Sequence, residues 1–237
     1  MTTHASSRGV GLERAYKHWR ERGSQFNLHE SKNIEPGVTI AISRERGAGG
    51  RAIAQLVADQ LGWPVYDQAL VDKIAEDSAV RLQLLDKLDE KCPNWLDECL
   101  HSFHEERHLS GVGFAMRLQK VLFALYRHGN CVILGRGASQ VLPEKRTLRI
   151  RLVAPILYRV QRATNHLGIS AEAEKQVVQI DRMRVDFVKR YFHKDPTDVH
   201  EYDLTMNTAR FSENDCKDLI LTGLTARQAR LPTHNTP

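Results

Sequence analysis

Ten residues rich in glycine and arginine form the segment of this sequence that is best suited to bind an anion. They read Ser43-Arg44-Glu45-Arg46-Gly47-Ala48-Gly49-Gly50-Arg51-Ala52. An apolar run at 38–42 precedes them, and a helical pattern of apolar residues follows at 53–61. Where a strand passes through a glycine turn into a helix, backbone N–H groups and the helix N-terminus converge on a phosphate. The spacing therefore predicts a phosphate site at residues 47–51.

The turn departs from the Walker A motif, G-x-x-x-x-G-K-[ST], at its end. Gly50 stands where the motif has the lysine that reaches the terminal phosphates, and the hydroxyl that ligates magnesium is missing as well. Arg51, one residue later, is a cation that can replace the lysine. Arg44 and Arg46 add positive charge, which Glu45 opposes. Two alternatives stay open. The turn can be a tight structural connection that binds no phosphate, and Arg51 can be a solvent-facing residue of the first helical turn.

Composition and charge restrict the function further. The chain has 237 residues, 41% of them hydrophobic, and a formal charge of +5, which suits one α/β domain and an anionic ligand. It contains no apolar stretch of about 18 residues, so we expect no membrane span. Its first residues lack the apolar core of a secretory signal. The four cysteines, which show no CxxC spacing, are Cys92, Cys99, Cys131 and Cys216. We therefore expect reduced thiols and a cytoplasmic location.

Apolar runs alternate with helical patterns from residue 37 onward, after a polar N-terminal arm at 1–36. Ser212 and Asp215 form the capping pair of a final helix. Strands that are apolar throughout and separated by helices predict a parallel sheet covered on both faces. The predicted strands are Val38–Ser43, Pro64–Asp67, Cys131–Leu134, Leu148–Val153 and Tyr202–Met206.

Several further motifs follow one another along the chain. They are Ile40-Ala41-Ile42-Ser43-Arg44-Glu45-x-Gly47-x-Gly49-Gly50-Arg51, Leu61-Gly62-x-Pro64-x-Tyr66-Asp67-x-x-Leu70, Val132-Ile133-Leu134-Gly135-Arg136-Gly137, Arg151-Leu152-Val153-Ala154-Pro155 and Tyr202-Asp203-Leu204-x-x-Asn207-Thr208. In their order and intervals they resemble the cytidylate kinase-like family of P-loop nucleoside monophosphate kinases. The resemblance covers about residues 37–223.

The resemblance implies an α/β P-loop kinase domain over residues 37–237. Its five-stranded parallel sheet has the order 2-3-1-4-5, with helices on both faces. A helical acceptor-binding insert is expected over 68–128, and a lid-like segment over 170–194.

The activity that the resemblance implies is ATP-dependent phosphoryl transfer, with Mg²⁺, to a nucleoside monophosphate or another small phosphate acceptor. Such a transfer needs positioning and charge neutralisation more than covalent chemistry. Asn207 matches a segment near the donor base, where cytidylate kinases usually have an aspartate. The donor cradle is assigned to Gly47, Ala48, Gly49, Gly50 and Arg51, and Arg44 is included among the nucleotide-binding residues beside it.

The acceptor site is expected at the ends of the second and third strands. Asp67 matches an aspartate that leads into the nucleoside-binding helix of cytidylate kinases, and it also fits as a simple helix N-cap. Arg136 matches the arginine that holds the acceptor phosphate, because a guanidinium fork suits bidentate phosphate contacts. The relatives flank that arginine with aspartates, whereas this sequence has Leu134 and Gly137.

The lid-like segment carries Asp181-Arg182-Met183-Arg184. Cytidylate kinases have arginines here that bridge the donor and acceptor phosphates, so Arg182 and Arg184 are candidates. Arg184 is favoured because it shares a helical face with apolar residues, and an arginine there needs a partner. We expect it to lie beyond direct contact with residues 47–51 in the absence of a ligand. A solvated helix face is the alternative for the charges of this segment.

Other functions find less support in the sequence. The main alternative is a nucleotide-binding sensor or partner-binding module without transfer activity, which the missing lysine and hydroxyl favour. His101, His104 and His108 share a helical face without a second ligand cluster, so no metal ligands are assigned. Lys and Arg are scattered and only 7% of the residues are aromatic, so nucleic acid is not expected as a partner. The oligomeric state stays open between a monomer and a homodimer.

Overall fold

The computed structural model describes residues 37–76, 110–164 and 171–231. The N-terminal arm and the three histidines at 101–108 lie outside these residues. The chain divides into two compact units. The first, called the sheet unit here, is formed by Val38–Val65 and by the chain from Asn130 onward. The second, the helical unit, contains the described parts of Tyr66–Gly129, together with Gly37.

Strands and helices alternate along the chain. The strands are β1 (Thr39–Arg44), β2 (Val65–Asp67), β3 (Cys131–Leu134), β4 (Thr147–Val153) and β5 (Leu204–Asn207). The α-helices are α1 (Gly50–Leu61), α2 (Gln68–Glu76), α3 (Ser110–His128), α4 (Ala138–Val141), α5 (Ile156–Ala163), α6 (Ala171–Phe192) and α7 (Glu213–Gln228). Short 3₁₀ helices occupy Glu144–Arg146 and Val199–Glu201.

The strands form one sheet in the order β2-β3-β1-β4-β5, which confirms the predicted order. The β1–β3, β1–β4 and β4–β5 ladders are parallel. Ile40 at the centre of β1 lies opposite Val132 on one side and Leu148 on the other. Since both neighbours of β1 are strands, the turn that follows β1 begins from the interior of the sheet.

Four of the predicted strands agree with the structure to within a residue at each end, and the last begins two residues later than predicted. The reason is local, because Tyr202 closes the 3₁₀ helix through a bond from its N–H to the Val199 carbonyl. Leu204 is therefore the first residue of β5. The capping box of Ser212 and Asp215 at the start of α7 is present as predicted.

One hydrophobic core of the sheet unit lies between β1 and the helices α1 and α7. Ile40 and Ile42 of β1 belong to it, together with Ile53 of α1 and Ile220 of α7. The Ser139 hydroxyl of α4 also contacts β1 and donates to the Ala41 carbonyl at 3.2 Å. The first four residues of β1 are all buried, so both faces of this strand are covered, which explains its apolar character.

The helical unit contains α2 and α3, which pack against each other. The predicted apolar stripe of α3 is fully buried and consists of Leu118, Val121, Leu122 and Leu125. From α2, Val71 and Ile74 are buried as well. The assignment of this unit to acceptor binding stays a prediction.

Two neighbouring residues of α7 test the core. Ile220 is 0% exposed and Leu219 is 42% exposed. Ile220→Ala should lower the free energy of unfolding by about 2–5 kcal/mol, because it removes buried methyl groups and leaves a cavity. Leu219→Ala should change it by about 0.5 kcal/mol or less. Urea titration measures both, and equal losses would contradict the packing described here.

Candidate functional site

The turn between β1 and α1 adopts the conformation that its glycines permit. Gly47 has φ 85° and Gly49 has φ 73°, both in the left-handed region. Gly49 is the N-cap of α1, with no side-chain capping bond and no acidic residue in the first helical turn. The first N–H groups of α1 are therefore not capped by a side chain of the helix itself. Such an end favours a bound anion.

Arg159 of α5 contacts the turn through both its backbone and its guanidinium. Its carbonyl oxygen lies so close to Gly47 that a β-carbon there would overlap it. Its guanidinium donates to the Ala154 carbonyl at 2.8 Å and to the Arg46 carbonyl at 3.3 Å. It also forms an ion pair with Glu45 at 3.2 Å. Because the residue is only 9% exposed, these partners compensate for most of the lost hydration of its charge.

Asp181 of α6 binds the same loop through its carboxylate. One oxygen accepts from the Arg46 N–H at 2.6 Å, and the other pairs with Arg159. Arg184 lies 3.5 Å away on the next helical turn. Helix α6 is the helix of the predicted lid-like segment, so this segment contacts the residues immediately before the glycine turn.

Arg184 lies close to the predicted cradle. Its guanidinium donates to the Arg44 carbonyl at 3.2 Å. Burial lowers the pKa of Arg184, and the nearby charges of Arg46 and Arg151 lower it further, whereas Asp181 raises it. Arginine stays protonated at neutral pH in spite of such a shift. A half-buried cation thus lies beside the end of β1.

Arg162 of α5 is a residue of this site that sequence reasoning missed. A β-carbon on Gly49 would lie 3.0 Å from its Nη2 atom, so its guanidinium lies against the turn. Burial lowers the pKa of Arg162, but hydrogen bonds to Tyr158 and Glu213 outweigh this and raise it. The only signal in the sequence was the i, i+3 spacing of Arg159 and Arg162 after a strand, which solvated helices also show.

Arg136 lies in the turn after β3, between two glycines with positive φ. Its own φ is 55°, which is uncommon for a residue with a side chain. The guanidinium stands over the ring of Phe187 on α6, 4.9 Å from the centroid. A β-carbon on Gly137 would lie 2.5 Å from Phe192, also on α6. The predicted acceptor arginine and the lid-like helix are therefore in contact.

The other predicted residues have different surroundings. Arg51 is exposed in the first turn of α1. The side chain of Arg182 is 83% exposed and lies 4.0 Å from Asp186, which favours the solvated-face interpretation for this residue. Asn207 ends β5 and accepts from the Ala209 N–H at 3.1 Å. In the helical unit, Asp67 accepts from the Leu70 N–H at 3.0 Å, as a helix N-cap does.

Within 37–76, 110–164 and 171–231, no group of three or more His, Cys, Asp or Glu side chains is arranged to hold a metal ion. None of the helices in these ranges combines the length and the apolar character that crossing a membrane requires.

A parallel sheet with a glycine turn after its central strand, surrounded by arginines, defines a P-loop kinase-type α/β protein. Comparison with known families makes this more specific. Residues 39–210 match the model of the cytidylate kinase-like family. The chain belongs to the cytidylate kinase-like family.

One named relative and two solved structures are similar to this chain. The cytidylate kinase of Methanopyrus kandleri is 26% identical over 194 residues, which cover 77% of this chain and 91% of that protein. The structure of an uncharacterized protein from Eubacterium ventriosum has a TM-score of 0.63 at 21% identity and covers 80% of this chain and 98% of that one. This likeness shows a shared fold. Shikimate kinase from Acinetobacter baumannii is 19% identical over 84% of this chain and 98% of that one, with a TM-score of 0.43.

Two glycines with similar backbone angles test the role of Arg159 in holding the turn. Gly47 has φ +85° with the Arg159 backbone against it, whereas Gly62 has φ +66° and open space around it. Gly62→Ala should cost about 1–2 kcal/mol of stability for the left-handed conformation alone. Gly47→Ala should cost more, because the new methyl group forces α5 away from the turn. Thermal unfolding of both variants measures this, and equal costs would refute the close approach.

Proposed function

We propose that the protein transfers the terminal phosphoryl group of ATP to a nucleoside monophosphate, of the cytidylate type, or to another small phosphate acceptor. The observation that supports the proposal is the set of arginine side chains around the glycine turn. An uncapped helix N-terminus faces a region that receives arginine side chains from separate elements, namely Arg44, Arg162 and Arg184. Converging cations and backbone N–H groups stabilise a polyphosphate.

The proposed reaction requires little covalent chemistry from the protein. An oxygen of the acceptor phosphate bonds to the γ-phosphorus while the bond from that phosphorus to the bridging oxygen of the donor breaks. ADP leaves with the electron pair of that bond, and the acceptor becomes a diphosphate. Charge that shifts to the bridging and equatorial oxygens needs fixed positive partners, and preorganised arginines provide them without reorganisation.

Arg136 is the proposed acceptor-phosphate residue. Its place in a glycine-flanked turn beside β3 and its stacking on Phe187 support this assignment. The stacking also links the acceptor residue to α6, so a phosphate that binds Arg136 acts on the helix that carries Arg184. Asp67 and Asn207 keep their proposed roles at the acceptor nucleoside and at the donor base.

Kinase chemistry implies magnesium, but the turn lacks the side-chain hydroxyl that usually binds it in a P-loop. Arg51 stands where the Walker motif has its hydroxyl ligand, and Ala52 follows. The nearby Ser43 hydroxyl accepts from the Arg151 guanidinium at 2.7 Å. These residues do not fit the usual magnesium ligand of a P-loop, so no step of the mechanism is assigned to a protein-bound ion. Mg²⁺ is included in the experiments as the counter-ion of the nucleotide.

The alternative function is a nucleotide-binding module without transfer activity. The replacement of the Walker lysine and hydroxyl by Gly50 and Arg51 favours it. Both functions require ATP binding at the turn, so only the formation of product distinguishes them.

Incubation with ATP, Mg²⁺ and a panel of monophosphates tests the transfer directly. We expect a diphosphate product with at least one acceptor, cytidylate first, detected by chromatography. ATP binding without any product would refute the transfer activity and support the binding module. No ATP binding at all would refute both.

Arg136→Ala separates acceptor contacts from donor contacts. It should reduce turnover at least about 100-fold, because it removes a charge-assisted contact to the acceptor. The affinity for ATP, measured by calorimetry, should change by less than about three-fold, since the acceptor residue does not hold the donor. Lys145→Ala, an exposed change ahead of β4, is the control and should alter neither quantity. A parallel loss of ATP affinity in Arg136→Ala would contradict the assignment.

Amide exchange tests the lid role of α6. A bisubstrate inhibitor that joins two nucleosides through a polyphosphate gives Arg184 and Arg136 an anionic partner together. Exchange should then slow across residues 180–192, because a lid closes when its ligand binds. Exchange in α7 serves as the control. Equal exchange in residues 180–192 with and without the inhibitor would show that α6 is a fixed structural helix.

A further inference from the structure

The side chain of Arg44 lies across the α-carbon of Gly50. A β-carbon on Gly50 would come within 2.8 Å of Cγ and 3.0 Å of Cβ of Arg44. Gly50 is buried at the first position of α1, and its φ is not in the left-handed region. Glycine is unfavourable in a helix where the backbone does not require it. The residue is therefore glycine because Arg44 occupies the space of its side chain.

The far end of Arg44 reaches the turn after β3. A β-carbon on Gly135 would overlap the Nη1 atom of Arg44. The guanidinium thus lies between the glycine turn after β1 and the turn that carries Arg136. In the proposed function these two turns hold the donor and the acceptor phosphates, so Arg44 places its charge where the transferred group passes.

The sequence positions of these two residues have a simple relation to the Walker motif. In G-x-x-x-x-G-K, Arg44 stands at the first glycine and Gly50 at the lysine. The chain thus has a cation where the motif has glycine, and glycine where the motif has the cation. In space, the aliphatic part of the Arg44 side chain lies over the start of α1, and its guanidinium extends to the turn after β3.

The structure points to an exchange of positions between the phosphate-binding cation and a glycine. We propose that Arg44 performs the role of the Walker lysine, and that glycine at position 50 leaves room for its side chain. The inference deepens the proposed function and depends on phosphate binding at the turn. Arg44 ends β1 and is paired with Leu152 of β4. Its carbonyl accepts from Arg184. A cation on a fixed strand end is better positioned than one on a loop.

Arg51, the substitute that the sequence suggested, is less well placed. It is exposed on α1, whereas Arg44 is half-buried against two glycines. If Arg44 is the phosphate-binding cation, its loss should weaken ATP binding more than the loss of Arg51; if Arg51 is that cation, the order should be reversed.

Arg44→Met separates the charge from the packing, because methionine keeps an unbranched stem over Gly50. We expect the variant to keep its thermal unfolding temperature within a few degrees. Its affinity for ATP with Mg²⁺, and for inorganic tripolyphosphate, should fall by about 10- to 100-fold, as for the loss of one charge-assisted contact. Arg230→Met, an exposed change beyond the end of α7, is the control and should leave both affinities unchanged.

Exchanging the two residues gives a sharper test. Gly50→Lys alone should weaken ATP binding, because the new side chain meets Arg44. Arg44→Gly alone should weaken it through the lost charge. The double variant Arg44→Gly/Gly50→Lys restores the Walker order and should bind ATP within about ten-fold of the unaltered chain and more tightly than either single variant.

Three results would overturn the exchange. They are unchanged ATP affinity in a folded Arg44→Met variant, a larger loss in Arg51→Met than in Arg44→Met, and a folded double variant that binds no better than Arg44→Gly. Each leaves ATP binding by the unaltered chain intact, and with it the proposed function. Absence of ATP and tripolyphosphate binding in the unaltered chain would instead remove the proposed function and the exchange together.

Discussion

The burial of one guanidinium determines the arrangement of the whole glycine turn. Arg159 is nearly inaccessible to water, and an arginine in that position is costly unless carboxylates and carbonyls surround it. Glu45 and Asp181 provide the carboxylates, and they belong to the turn and to α6. Three separate parts of the sheet unit are thus held by a single charge. Loss of this charge would leave two partly buried carboxylates without their shared partner, so the conformation of the turn depends on α5 and α6.

The second consequence of this arrangement is an excess of positive charge in front of the turn. The two carboxylates are engaged by Arg159, and Glu213 pairs with Arg162. Arg184 is desolvated beside other cations, which lowers its pKa. A polyphosphate would relieve this repulsion by supplying negative charge among fixed donors, and the repulsion is already present in the folded chain. Electrostatic preorganisation of this kind is what phosphoryl transfer requires from a protein.

Much of the fold could be predicted from sequence, because buried parallel strands are continuous apolar runs and glycine turns are explicit. The position of the phosphate turn and the order of the strands follow from such local signals. The roles of Arg159 and Arg162 could not be predicted, since an arginine on a helix has the same local pattern whether it is buried or solvated. Arg44 was included among the candidates, but its direction across Gly50 depends on two glycines that lie 85 residues apart in the chain. Asp67 shows the opposite case, because its helix-capping contact was predictable from its neighbours alone.

The close contact between Gly137 and Phe192 limits which residues homologous sequences can have at these two positions. Its hydrogen occupies space beside the ring of Phe192, so the size of one residue limits the size of the other. A homologue with alanine at position 137 would need a smaller side chain at 192, or a different path of α6, in addition to tolerating the left-handed backbone. The two positions should therefore change together over evolution. Selection therefore acts jointly on the turn after β3 and on the last residue of α6, although the two positions are 55 residues apart in the sequence.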